Sequence, residues 1–558
     1  MNIQLLGAAR TVTGSCYIIE CNGSRFAIDC GMHQGNAEIE KRNINPEGYR
    51  AEQLDFILLT HAHIDHSGLL PRMVKEGFKG KVFCTEPTLD LLKILLLDSA
   101  HIQEMEAEWA NRKRARRGGD SVEALYTTED ALGATGMLVP VMYNEAFSPA
   151  AGVKVIFRDA GHILGSSFLE LELSEKGELT RLVFSGDLGR PDALIVSDPD
   201  TMQEYPPVDC LFLESTYGDR DHKDENKSRD ELAEAVMYSY ARGEKTIIPA
   251  FAVERTQEVV YALHLLIKEG RIPGDIPIYV DSPLAIRATE IFRKHLKYFD
   301  AEAQEMIDAG DDPLSPPGLK YTLETGESQA INNRQGPAVV ISASGMCNAG
   351  RIKHHLRHNL WREGASIVFV GYQAQGTPGR KIVDGAKKIT MFGEEIAVAA
   401  KIYTIGGFSG HAGQSQILKW VGHFARPAPN VFLVHGEEKA QKSLAELLKT
   451  RLGINVLIPG YEQVLHPAPG KAPEQAPEAV EAGLPRLQGA RTPVVRLDEK
   501  LRTQPVRWEP IVASAEQNMQ HLRQALERVA QRPWADQVEF RDQLLELNKL
   551  FMQIITDM

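Results

Sequence analysis

Through the first 200 residues the apolar positions come in short runs divided by glycine-rich turns: NIQLLG, CYIIEC, RFAIDCG, FILLTHAH, KVFCT, VKVIF, SFLELEL and RLVFSGDLG. So many short runs predict strands packed as a sheet sandwich. Helical spacing enters after His66, at Leu69, Leu70, Met73 and Val74, and again from Leu89 to Met105, which makes the region mixed α/β. From about Asp209 the rhythm changes. CLFLE, TIIPAF, PIYVD, AVVISA and SIVFVG are strand-like, while ERTQEVVYALHLLIKEG and AIRATEIFRKHLKYF are helix-like. That alternation predicts βαβ units and a parallel sheet. It stops near Gly385, and Glu394 to Pro459 returns to short strands, IAVAAKIYTI and VFLVHG, around one helix. Residues 463–512 are proline-rich and read as a linker. Residues 513–558 carry apolar positions at helical spacing and predict two helices broken at Pro533, a cap or dimerisation element. The expected order is a sandwich over 1–207 and 391–462, an inserted parallel-sheet α/β domain over 208–390, the linker and a helical extension.

Bulk composition fits this division. A chain of 558 residues is too long for one core. Hydrophobic content of 43% with 25% charged residues is ordinary for a soluble globular protein. No apolar run is long enough to span a bilayer, and MNIQLLGAARTVTGS lacks the pattern of a secretory signal, so no membrane partner and a cytoplasmic location are expected. The six cysteines form no CxxC pair and read as reduced, mostly buried thiols. A net charge of −13 argues against a general nucleic-acid coat protein but leaves room for a local positive groove.

The chemistry is concentrated in THAHIDHSG, which puts His61, His63, Asp65 and His66 into one loop behind the run Phe56 to Leu59. His61 and His63 are two apart, so in extended backbone they point the same way. Asp65 and His66 follow where a helix begins and can face a second metal. Burying four such groups without a cation would be unfavourable. Other strand ends offer further ligands: His162 in VIFRDAGHILGSS, Asp187 in LVFSGDLG and His435 in NVFLVHGE. A lone His or Asp at such a position is more often a turn residue or helix cap. The recurrence of the arrangement favours the metal reading. Asp29, ending RFAIDCG, is placed behind the ligands, where a carboxylate orients a ligating imidazole.

This set resembles the metallo-β-lactamase superfamily, over residues 1 to about 207 and about 391 to 462. The resemblance implies an αββα sandwich. It assigns one metal to His61, His63 and His162 and another to Asp65, His66 and His435, with Asp187 bridging. Two Zn²⁺ are expected from the ligand types, although manganese or iron can occupy such sites. Zinc lowers the pKa of bound water to about 7, giving a nucleophile at neutral pH. A dinuclear centre with two aspartates and one hydroxide stays net positive, which suits a phosphodiester.

The inserted region narrows the substrate. LFLESTYGD (211–219), ISASGMCNAGR (341–351) and GGFSGHAGQ (406–414) resemble the β-CASP nucleases, which include the endonuclease of the pre-mRNA 3′-end machinery. That resemblance implies roles for Glu214, His411 and His435. Phosphodiester cleavage needs a proton donor for the departing 3′-oxygen. His411 can supply it if the Glu214 carboxylate orients the ring and raises its pKa. Histidine at 435, within LVHGE, is the pattern of RNA-directed members. Ser344 and Gly345 are expected in a strand-to-helix turn that can hold phosphate, with Arg351 and Lys353 beside it. NRKRARR (111–117) reads as a solvated face.

The expectation is therefore a zinc-dependent ribonuclease in RNA processing or decay, acting on RNA, with a homodimer as its common assembly form. A thioester or lactone hydrolase of the same superfamily explains neither the insert nor GGFSGH. A non-catalytic RNA-binding subunit would usually have lost ligand positions, and this chain retains them all.

Overall fold

A computed structural model describes residues 1–467 apart from 45–47, 117–119, 192, 202–205, 223–224, 375 and 425–426. The helical extension expected over 513–558, and all but the start of the proline-rich arm, lie outside the described residues. In chain order the first strands are β1 (Asn2–Leu5), β2 (Tyr17–Cys21), β3 (Ser24–Ile28), β4 (Phe56–Leu58), β5 (Lys81–Thr85) and β6 (Leu138–Val141). They are followed by β7 (Ala146–Ala150), β8 (Val153–Asp159), β9 (Ser167–Glu175), β10 (Glu178–Phe184) and β11 (Cys210–Glu214). The inserted region holds β12 (Lys245–Pro249), β13 (Ile278–Val280), β14 (Leu319–Tyr321), β15 (Ala338–Ser342), β16 (Ser366–Phe369), β17 (Lys388–Met391), β18 (Glu394–Ala397) and β19 (Lys401–Thr404). Strands β20 (Asn430–Val434), β21 (Val456–Leu457) and β22 (Val464–Leu465) complete the set.

Two seven-stranded sheets form the sandwich. One runs β22-β1-β2-β3-β4-β5-β6 and the other β21-β20-β11-β10-β9-β8-β7. Strict alternation explains β9, where Leu169, Leu171 and Leu173 are buried and Glu170, Glu172 and Ser174 are not. Between the sheets Phe212 stacks on Phe184 at 4.2 Å and on Phe432 at 4.8 Å, with Tyr17 reaching across at 5.4 Å from Phe184. These rings knit β10, β11 and β20 into one rigid wall.

The third sheet, β14-β13-β15-β12-β16-β19, is parallel throughout. Its central strands β12, β15 and β16 are buried at every position, as parallel strands covered on both faces must be. Helices Arg255–Lys268 and Pro283–Lys294 are among those beside it.

Four expectations need correction. Cys210–Glu214, read as the first strand of the insert, pairs with β10 and β20 in the sandwich. A strand buried on both faces has the same composition in either sheet, and only its partners distinguish them. At the other boundary IAVAAKIYTI divides. Its second half, β19, pairs with β16 and so closes the inserted sheet rather than the sandwich. Third, the sandwich extends past 462, because β22 pairs with β1. The return segment also holds two helices, Gln414–Gly422 and Glu438–Leu452, where one was expected. All described residues fall in one compact unit, Met1–Val480. No helix among them is long and apolar enough to cross a membrane.

Candidate metal centre and proton-donor pair

Parallel pairing of β3 with β4, and of β11 with β10 on one side and β20 on the other, brings their carboxyl ends to shared edges. Asp29 follows β3, the segment Thr60 to His66 follows β4, Asp187 lies just past β10, Glu214 ends β11 and His435 follows β20. His162 comes from the β8–β9 connection, where Gly161 and Gly165 take the positive φ values that its tight turns require. Asp29 (φ 58°) and His435 (φ 46°) are left-handed without being glycine. Such strain persists only where neighbours fix it. The His435 N–H donates to the Ala8 carbonyl at 2.7 Å, and Asp29 accepts from the Thr60 N–H at 2.8 Å and its hydroxyl at 2.9 Å.

Seven side chains converge in two groups: His61, His63, His162 and Asp187, and then Asp65, His66 and His435. Within the first, His63 Nδ1 lies 3.2 Å from both His61 Nε2 and His162 Nε2. Asp187 Oδ2 is 3.5 Å from each of those Nε2 atoms. Its other oxygen, Oδ1, faces the second group, 3.1 Å from His66 Nε2 and 3.4 Å from His435 Nδ1. Asp65 Oδ2 lies 3.5 Å from His435 Nε2.

The far nitrogens of the rings are occupied. His66 Nδ1 bonds Asp29 at 2.7 Å, His61 Nδ1 meets the Thr60 hydroxyl at 3.1 Å and His162 Nδ1 donates to the Gly410 carbonyl at 3.0 Å. His435 Nδ1 meets the Thr216 hydroxyl at 3.1 Å. These bonds turn Nε2 of His61, His66 and His162 inward, while His63 presents Nδ1 and both nitrogens of His435 border the second group.

This donor set fits divalent cations. Tetrahedral zinc with bonds of about 2.0–2.1 Å separates its ligand atoms by roughly 3.3 Å, close to the spacings within the first group. Two inward atoms, Asp187 Oδ1 and His435 Nε2, are buried without a hydrogen-bond partner. Burial and like neighbours hold His61 and His162 well below the usual imidazole range, and burial brings His63 down to about 4, so these rings stay neutral as ligation requires. Burial pulls His66 down too, but Asp187 and Asp29 outweigh it and hold its imidazole well above the usual range. The same carboxylates would favour a cation there.

Beside the first group, His411 Nδ1 bonds Glu214 at 2.9 Å, and its Nε2 lies 4.0 Å from Asp187 Oδ2. Glu214 is fully buried and accepts from the backbone N–H groups of Leu188 (3.0 Å) and Thr216 (2.9 Å). Burial lowers the His411 pKa, but the Glu214 and Asp187 carboxylates overcome that and raise it to about 9. The loop bearing His411 is clamped by the segment after β11. Asp221 accepts from the Ser415 N–H at 2.8 Å, and the Arg220 carbonyl accepts from Gln414 at 3.0 Å.

Comparison with known families agrees with this geometry. Residues 9–125 match the metallo-beta-lactamase superfamily, 256–382 the Beta-Casp domain and 395–459 the Zn-dependent metallo-hydrolase RNA specificity domain. Ribonuclease TTHA0252 of Thermus thermophilus is 38% identical over 81% of this chain and 96% of its own length. The chain belongs to the β-CASP family. Transcription termination factor FttA is similar at 32% in Methanosarcina mazei and 30% in Methanocaldococcus jannaschii. These matches cover 81% and 80% of this β-CASP chain and 70% and 69% of the relatives. The chain is a metal-dependent hydrolase.

Other expected residues of the β-CASP chain do not join the cluster. Ser344 sits in a loop after β15 that bonds to itself: its N–H donates to the Ala349 carbonyl at 3.2 Å and its hydroxyl to Asn348 at 2.7 Å. The helix expected directly behind Gly345 starts only at Ile352. The Arg351 guanidinium is engaged inward by buried Asp281 (2.8 Å) and the carbonyls of Thr322 (3.0 Å) and Leu323 (2.6 Å). Lys353 lies 4.9 Å over the Phe392 ring. His355 is a packing residue, bonded to Asp281 at 2.6 Å. Thr60 and Thr216, whose hydroxyls meet rings of the cluster, carry no sequence signal of that role beyond standing next to or two residues from a motif residue.

Proposed function

We propose that this protein is a ribonuclease that hydrolyses RNA phosphodiester bonds in RNA processing or decay. The observation that carries the reading is the buried Glu214–His411 pair beside the ligand cluster. A departing 3′-alkoxide is strongly basic and needs a proton as its bond to phosphorus breaks. A thiolate, with a pKa of about 8.5, leaves without one, so the pair favours phosphodiester over thioester cleavage. Retention of seven converging donors argues against a non-catalytic subunit. The match to an RNA specificity domain and the ribonuclease name of the Thermus relative point the same way.

In this reading His61, His63 and His162 hold one cation, Asp65, His66 and His435 the other, and Asp187 reaches both. A pair of zinc ions bound there supplies Lewis acidity and a nucleophile at neutral pH. Asp29, Thr60, Thr216 and the Gly410 carbonyl keep the ligand rings in place. His411 Nε2 gives its proton to the leaving oxygen, and Glu214 holds the ring and stabilises its charged form. A cytoplasmic location rests on six free, buried cysteines. A homodimer rests only on how common two-fold assemblies are, and light scattering would decide it.

Metal analysis of the pure protein, together with cleavage of end-labelled RNA by wild type and His411→Ala, tests the reading. Two metals per chain are expected in both proteins. Cutting should be confined largely to wild type. Equal cutting by both removes His411 as proton donor, and turnover of a thioester panel without RNA cleavage overturns the ribonuclease reading.

A further inference from the structure

Two aromatic rings of the inserted domain have open surface, and each is tied to a metal loop of the sandwich. Phe251 is 40% exposed and Tyr372 39%. Phe251 follows β12 and Tyr372 follows β16, strands that pair in parallel at Ile247 and Ile367, so both residues stand at the carboxyl edge of the inserted sheet. Glycine backs the Phe251 ring: a Cβ on Gly345 would lie 3.0 Å from a ring carbon, and one on Gly371 3.8 Å. The turn below it is fixed, because the Phe251 carbonyl accepts from the Thr256 hydroxyl at 2.7 Å and its N–H at 3.2 Å.

Single exposed aromatics are ordinary on a protein surface, and what sets these apart is their anchorage. Three residues after Phe251, buried Glu254 accepts from the Leu164 N–H at 3.0 Å, two residues from His162. On the other side the Tyr372 hydroxyl reaches Glu437 at 3.5 Å, two residues from His435. The turn after Phe251, through Glu254, and the Tyr372 hydroxyl thus each meet a loop that carries a residue of a different metal group. A cation stands on the same rim: the half-exposed Arg220 guanidinium lies 5.0 Å over the Tyr217 ring, which is itself 6.2 Å from His411.

We propose that Phe251 and Tyr372 form a stacking platform for the two bases that flank the scissile phosphodiester of single-stranded RNA. The proposal rests on the ribonuclease reading and names the residues that hold the bases. The metal groups can hold a phosphate but cannot grip a base. Aromatic faces grip any base without regard to sequence, and a cation nearby adds to the hold. In a duplex the bases are stacked on one another and their faces are not available, so paired RNA is excluded.

The test uses the full-length metal-loaded protein, a short oligoribonucleotide with one mapped cut site, and the same oligomer with abasic ribose at the two flanking positions. Each of Phe251→Leu and Tyr372→Leu should raise KM about ten-fold, with kcat changed far less; Phe251→Trp should keep wild-type KM, and Tyr372→Phe, which keeps the ring but loses the Glu437 bond, should raise KM less than Tyr372→Leu. Abasic substitution should raise KM for wild type and add nothing in the double leucine variant. Annealing a complementary strand across the site should abolish cutting. If wild type cuts the intact and abasic oligomers with the same KM, the platform is overturned whatever the variants do. If wild type cuts no RNA at all, it is the ribonuclease reading that fails.

Discussion

At the scale of single residues, the Glu214–His411 pair makes the sharpest demands. His411→Ala leaves all seven ligands in place, so metal content should hold while RNA cleavage falls roughly 10²–10⁴-fold, the range for a lost general acid. Glu214→Gln keeps the shape but removes the charge that raises His411. In the folded metal-free protein that ring holds its proton to about pH 9, against an ordinary value of 6.5. A raised folded pKa contributes stability that is fully present below about 6.5 and lost as pH rises through about 9. Metal-free wild type should therefore exceed metal-free Glu214→Gln in melting temperature by more at pH 6 than at pH 10. An equal gap at both would show that the pair carries no charge coupling. Asp29→Ala should weaken metal binding about 10- to 100-fold, read by competition with a chelator, because it frees the His66 ring to turn. His411 and Glu214 were legible one by one from their motifs. Their 2.9 Å contact was not, since 197 residues separate them.

At the scale of elements, the site depends on strand ends meeting at close range. Gly436 shows how close: a Cβ there would lie 2.3 Å from the Ser215 hydroxyl oxygen and 2.6 Å from its carbonyl oxygen. Backbone cannot yield by that much without separating the loops after β11 and β20. Gly436→Ala should displace His435, reducing the metal bound per chain and lowering the melting temperature. Full occupancy in that variant would place His435 outside the metal site. The strands themselves were readable, because their apolar runs are short and their boundaries are marked by glycine. Sheet membership was not. CLFLE has the character of a buried parallel strand and KIYTI that of a half-exposed one, yet the first belongs to the sandwich and the second to the inserted parallel sheet. Hydrogen-bond partners far along the chain decide that, and local pattern does not record them. At Ser344 the expected strand-to-helix turn is a longer loop, because Ala349 and Asn348 meet its polar groups from within and the helix starts only at Ile352.

At the scale of the whole molecule, the sandwich and the insert share one compact unit, with the metal centre at the edge of the sandwich sheets. Two inward polar atoms of that centre are buried without a hydrogen bond and meet only ion-pair neighbours, at 3.1 and 3.5 Å, a state unfavourable for the metal-free fold. A chelator should lower the melting temperature by several degrees, and added zinc should restore it. Metal at a thousand times its Kd stabilises a fold by about 4 kcal/mol, and an unchanged melting curve would mean the cluster holds no ion. The net charge of −13 opposes approach of RNA to the molecule at large, so recognition has to be local, at the cluster and on the rings of Phe251 and Tyr372.

The sequence by itself determined the two kinds of sheet and singled out the seven side chains that converge, together with Glu214 and His411. Residue type and short-range spacing are sufficient for these, because periodicity and ligand chemistry are written locally. Only the tertiary structure decided which sheet each boundary strand joins, which ring nitrogen faces inward, that Arg351 turns to Asp281, and that Phe251 and Tyr372 stand by the metal loops. Those outcomes depend on contacts between residues tens to hundreds of positions apart, and such contacts are set by packing of the assembled sheets.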